Sequence, residues 1–228
     1  MKWVAIFLGL IIAGAVGAYW YEGYSAEKAL LKQPVYQVLK KHEPALYDTL
    51  VDEYKVYARD ETRRENFVNF ANSEISLAAT RHLAHASQAD VLALIQDMLA
   101  TAKTLQKAPG DACFRFWFPV VSGPPDVAKY IDEKSQAHTL DLMGNVIRSS
   151  SENPSPLPEP DAVKDNLANL VNATYQQYGV DAQMIGHADD AHTDRTKVCT
   201  ILNSLYERIL SLPPADGAAL IRAMTQMR

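Results

Sequence analysis

The chain has 228 residues, of which 48% are hydrophobic and 21% charged, with a formal net charge of −5. That length is enough to bury a proper core, as one domain or as two small ones. Acids and bases are interspersed and leave no basic stripe, which excludes nucleic acid as a partner.

The run from Trp3 to Tyr21 carries no charge. As a helix rising about 1.5 Å per residue it covers roughly 28 Å, close to the thickness of a bilayer core. Lys2 precedes the run and Glu22 is the first charge after it, so the positive-inside rule puts the N-terminus in the cytoplasm and the remainder outside. Two readings of the segment compete. As an uncleaved anchor it places Trp3 at the inner interface, Phe7, Leu10 and Ile11 in the lipid, and Tyr19, Trp20 and Tyr21 in an outer aromatic belt. As a signal peptide it offers Met1-Lys2, an apolar core and Val16-Gly17-Ala18, with cleavage after Ala18. The aromatics favour the anchor. The short basic start suits a bacterial inner membrane, with residues 1–24 as a single-pass anchor or signal and residues 25–228 as a periplasmic domain. Cleavage would instead release a soluble periplasmic protein.

Residues 25–42 read as a helical connector that Pro34 breaks or kinks. Pro44 suits the first turn of the next helix, whose apolar stripe is Leu46, Leu50, Tyr54 and Tyr57. A further helix carries Phe67, Ala71, Ile75 and Ala78. Ser87 and Asp90 form an N-cap pair opening a helix through Val91, Leu94, Ile95, Met98, Ala102 and Leu105, which stops at Pro109-Gly110. Cys113-Phe114-Arg115-Phe116-Trp117-Phe118 follows, dense in aromatics. It reads as a buried strand or irregular plug in the core. Alternatively Phe114, Arg115, Phe116, Trp117 and Phe118 form an exposed anchor for a partner, since aromatics and Arg dominate interface hot spots.

A helix through Val127, Ile131, Leu142 and Val146 comes next. Residues 149–161 then form a Pro-rich loop, with prolines at 154, 156, 158 and 160 favouring an extended polyproline II spacer. Beyond it, Val163, Leu167, Leu170 and Tyr178 mark a helix ending at Gly179. Thr193 or Asp194 caps the next, whose face is Val198, Leu202, Leu205 and Ile209. Leu210-Ser211-Leu212-Pro213-Pro214 closes that helix in a motif-like run to which no activity attaches, and no known family is recognised. A last short helix carries Leu220, Met224 and Met227. No segment has the two-residue period of a strand. The expected fold is therefore all-α: an irregular bundle of about seven helices behind the N-terminal transmembrane helix or signal segment.

Cys113 and Cys199 both fall in the part placed outside the membrane, where an oxidising compartment lets them pair. Such a bridge would stabilise the fold by about 4–5 kcal/mol in the chain-entropy model. Two buried free thiols are the alternative.

Signatures of catalysis are missing. There is no GxSxG, SxxK or HExxH, and no P-loop or GxGxxG to cradle a nucleotide. His187, Asp189, Asp190, His192 and Asp194 are the best metal-ligand candidates, but their spacing matches no known site, and acids before a helix are favoured by its dipole alone. No cofactor is expected. These observations favour a non-enzyme acting by protein–protein contact, held to lipid by its N-terminal helix. A narrower version is an immunity or inhibitor protein against an envelope toxin or hydrolase, whose basic surface an acidic chain would suit. One alternative is an envelope hydrolase with a site assembled from dispersed residues, in which His82, His85, His138, His187 or His192 converge with a carboxylate. Another is a structural subunit of an envelope assembly.

Overall fold

The computed structural model describes residues 25–57 and 64–226. The anchor residues Trp3, Phe7, Leu10, Ile11, Tyr19, Trp20 and Tyr21 lie outside the described residues. Every regular element among those described is helical. None of these helices is long and apolar enough to cross a membrane. The chain divides into two compact units at Ala78 and Ala79, inside helix Arg64–His82.

In the first unit, Gln33 is extended and Pro34 opens α1 (Pro34–His42), the break expected at that proline. Pro44 opens α2 (Pro44–Tyr57) in the same way. Both use proline where a helix needs no backbone N–H. Val35, Tyr36 and Leu39 pack with Tyr47 and Leu50 in the core. On α3 (Arg64–His82), Phe67, Ala71, Ile75 and Ala78 are buried, as their spacing predicts. The Phe67 ring meets Tyr54 edge-on at 5.2 Å.

The second unit is built around α4 (Gln88–Gln106), against which the helices Ala112–Trp117, Glu133–Glu152, Arg195–Ser211 and Pro214–Met224 pack. Ser87 Oγ accepts from the Asp90 amide at 3.2 Å and donates to the Asp90 carboxylate at 2.6 Å, so the expected cap is present. Its buried face, Val91, Leu94, Ile95, Leu99, Ala102 and Leu105, follows the predicted stripe except that Leu99 is buried and the expected Met98 is only half-buried. After it come α5 (Ala112–Trp117), α6 (Pro119–Ser122), α7 (Glu133–Glu152), α8 (Pro160–Tyr178), α9 (Arg195–Ser211) and α10 (Pro214–Met224). Asp132 and Asp194 cap α7 and α9 by accepting from the Ser135 and Lys197 amides, each at 3.0 Å. Gly179 ends α8 at φ 57°, a left-handed conformation open to glycine.

Several expected boundaries are corrected. The aromatic segment is the helix α5 rather than a strand. Val127–Lys129 is a single 3-10 turn, and α7 starts only at Glu133. Residues 149–152 belong to α7 and Pro160 is the first residue of α8, which shortens the extended Pro-rich stretch to 153–159. Short pieces such as α5 and α6 raise the helix count above the seven or so expected. Their apolar residues cluster too tightly to show a helical period.

Candidate functional site

Cys113 on α5 and Cys199 on α9 form a disulfide, with Cα atoms 5.9 Å apart. Both residues are buried among Ala102, Leu105 and Ala112. A four-residue step along α9 puts Asn203 on the same face as Cys199. Asn203 Nδ2 lies 3.8 and 3.6 Å from the two sulfurs and donates to Gln106 Oε1 at 2.9 Å. Its Oδ1 accepts from Trp117 Nε1 at 3.0 Å. A buried carboxamide is tolerated because both of its ends are satisfied.

The aromatic segment is committed largely to this core. Phe114 is only 1% exposed and stacks on Phe118 at 5.0 Å. The Arg195 guanidinium covers its other surroundings, 4.9 Å from the ring, and pairs with Asp111. Trp117 stacks on Tyr206 at 4.6 Å with planes 10° apart, and meets Phe116 edge-on at 5.4 Å. Burial raises the Tyr206 hydroxyl pKa above its usual value. Arg115 donates to the carbonyls of Gly123 and Pro124 at 3.1 and 2.6 Å, holding the turn after α6. Of the residues expected to contact a partner, Phe114 is thus enclosed, while Arg115, Phe116, Trp117 and Phe118 are half-buried.

Among the described residues, one opening is a groove of about 540 Å³ between α4, α9 and the turn into α10. Leu92, Leu99 and Ala100 line one wall, and Leu210, Leu212 and Pro214 the other. The run Leu210–Pro214, distinctive in sequence, here forms part of a surface feature. Leu212 is extended at φ −67°, ψ 160°, so α9 stops and the chain turns across the groove's end. At the rim, Lys103 and Glu207 pair at 2.5 Å, and Ser211 Oγ donates to the Arg208 carbonyl at 2.7 Å. These polar groups are engaged with each other or with backbone, so the rim presents a paired charge beside a largely apolar lining. Its size falls in the range of ligand and peptide clefts.

The other candidates are distributed differently. Asp190 Oδ1 accepts from the His192 amide at 2.9 Å, and Thr193 Oγ1 donates to the His187 carbonyl at 2.6 Å. Asp194 caps α9, while Asp189 is exposed. This loop is a chain of turns. Among the described residues no group of three or more His, Cys, Asp or Glu is arranged to hold a metal. His82 Nδ1 lies 3.0 Å from Ser150 Oγ, and His85 Nδ1 lies 3.0 Å from the Ser155 carbonyl oxygen. His138, His187 and His192 are exposed. Sequence reasoning missed Asn203, Gln106 and the groove wall. The available signal for Asn203 was a polar residue four positions after Cys199, within an otherwise apolar face.

No family model, curated protein or solved structure matches the chain.

Proposed function

We propose that this is an envelope protein, held at a bacterial inner membrane by residues 1–24, whose periplasmic domain binds a protein partner through the groove between α4 and α9. The groove carries the reading: an apolar cleft whose rim charges pair with each other offers contact surface rather than reacting groups. The Cys113–Cys199 disulfide supports the compartment, because such bridges persist in oxidising surroundings. The charge-free run Trp3–Tyr21 supports the anchor. A net charge of −5 suits a basic partner, consistent with an inhibitor or immunity role against an envelope enzyme or toxin.

A hydrolase draws no comparable support, since His138, His187 and His192 are exposed and His82 and His85 face a hydroxyl and a backbone carbonyl. The test is site-specific photocrosslinking from Gln96, an exposed groove residue, in the full-length protein in its native envelope. One discrete protein adduct is expected, and Ser211→Arg at the exposed rim should abolish it. Absence of an adduct, or its persistence in that variant, contradicts the reading.

A further inference from the structure

Residues 154–159 favour an extended backbone. Pro154, Pro156 and Pro158 fix their own φ, and Ser155, Leu157 and Glu159 each precede a proline, which disfavours the α region. Glu159 accordingly has φ −64° and ψ 135°, values of polyproline II. The burial pattern agrees. Ser155 and Pro158 are half-buried, while Pro154, Pro156, Leu157, Glu159 and Pro160 are exposed. A period of three is that of the polyproline II helix, and it puts Pro154, Leu157 and Pro160 along one outward edge.

The inner edge is bolted down. Ser155 N donates to the His85 carbonyl at 2.8 Å, and the Ser155 carbonyl oxygen lies 3.0 Å from His85 Nδ1. Arg222 of α10 donates to the Ala84 carbonyl at 2.8 Å and to the Pro156 carbonyl. Burial lowers the Arg222 pKa below its usual value. Leu157, held between two prolines, is 46% exposed.

We propose that Pro154, Leu157 and Pro160 form a preformed polyproline II ridge that docks into an aromatic-lined groove on a second protein. Such grooves read a rigid, alternating proline–apolar edge, and the fixed conformation removes most of the ordering penalty of binding. Glu159 and Asp161, both exposed beside the ridge, call for a basic rim on that groove. The ridge is a separate surface from the α4–α9 groove and does not depend on it.

The experiment places a photocrosslinking amino acid at position 157 of the full-length protein in its native envelope, with exposed position 138 as control. The proposal expects an adduct from 157 and not from 138, with the crosslinked partner peptide containing Trp or Tyr. Excess synthetic peptide spanning residues 152–161 should lower its yield about tenfold, while the same peptide carrying Leu157→Asp should not. Ser211→Arg should leave it intact, so failure of the ridge and failure of the groove are separable. Equal yields from 157 and 138, indifference to the peptide, or a partner contact without aromatics overturns the proposal.

Discussion

The indole N–H of Trp117 donates to the carboxamide oxygen of Asn203 at 3.0 Å, directly beside the disulfide that joins their two helices. Asn203 also donates to Gln106 on α4, so one side chain ties three helices together. Asn203→Leu keeps the branched shape and the number of side-chain heavy atoms but leaves the Trp117 N–H and the Gln106 carbonyl without this partner. The expected loss is about 1–2 kcal/mol, mainly from the part-buried Trp117 N–H, since the Gln106 side chain is exposed to water. Urea unfolding should show it as a lower midpoint with an unchanged slope.

Removing the bridge acts on the unfolded chain. The two cysteines are separated by 86 residues, and replacing both by alanine should lower stability by about 4–5 kcal/mol in the chain-entropy model. Both residues are buried, so a mild reductant should cut the bridge only at the rate of opening. Reduction should therefore speed up in parallel with added urea.

Gly217 on α10 lies close against the end of α9. A Cβ there would sit 2.8 Å from the Ile209 carbonyl oxygen and 3.6 Å from Leu92 Cδ2. Alanine at an exposed helical position would stabilise by up to ~1 kcal/mol. Here overpacking against backbone should win, and Gly217→Ala should destabilise by about 1–2 kcal/mol. Thermal unfolding of the variant checks the sign.

Tyr36 in the first unit has its hydroxyl pKa pushed up to about 12, by burial first and by neighbouring Tyr54 second. The folded state keeps this proton where the unfolded chain, with a pKa of 10.0, releases it. The contribution is thus fully present below pH 10.0 and is lost as pH rises toward about 12. The loss amounts to about 2–3 kcal/mol at the upper end. Tyr36→Phe should show a constant offset from wild type in neutral and mildly alkaline solution. Above that, the difference should shift in favour of the variant; parallel curves throughout would contradict it.

The helices themselves were legible because their signals are local. The Ser87–Asp90 cap, Pro34, Pro44 and Gly179 each act within one turn, and the stripe on α4 repeats over about four turns. The aromatic segment was harder. Four aromatics in five positions carry no period, and only the disulfide and the partners on α9 decide that it coils into α5. The groove was not legible at all, because its walls come from residues more than a hundred positions apart. What could be seen was the run Leu210–Pro214, where paired prolines force a helix to stop and leave apolar side chains at the turn. The clamp of Arg222 on the Pro-rich stretch was equally hidden, since it joins segments distant in sequence.

The most direct test of the account is the intact mass of the protein taken from native membranes, unfolded and alkylated without reductant. The account predicts a full-length, membrane-bound species that takes up no alkyl group, because Cys113 and Cys199 are already joined in an oxidising compartment. A species alkylated at both cysteines would place the domain on the reducing side of the membrane and contradict it, and a soluble species beginning at Tyr19 would contradict the anchor.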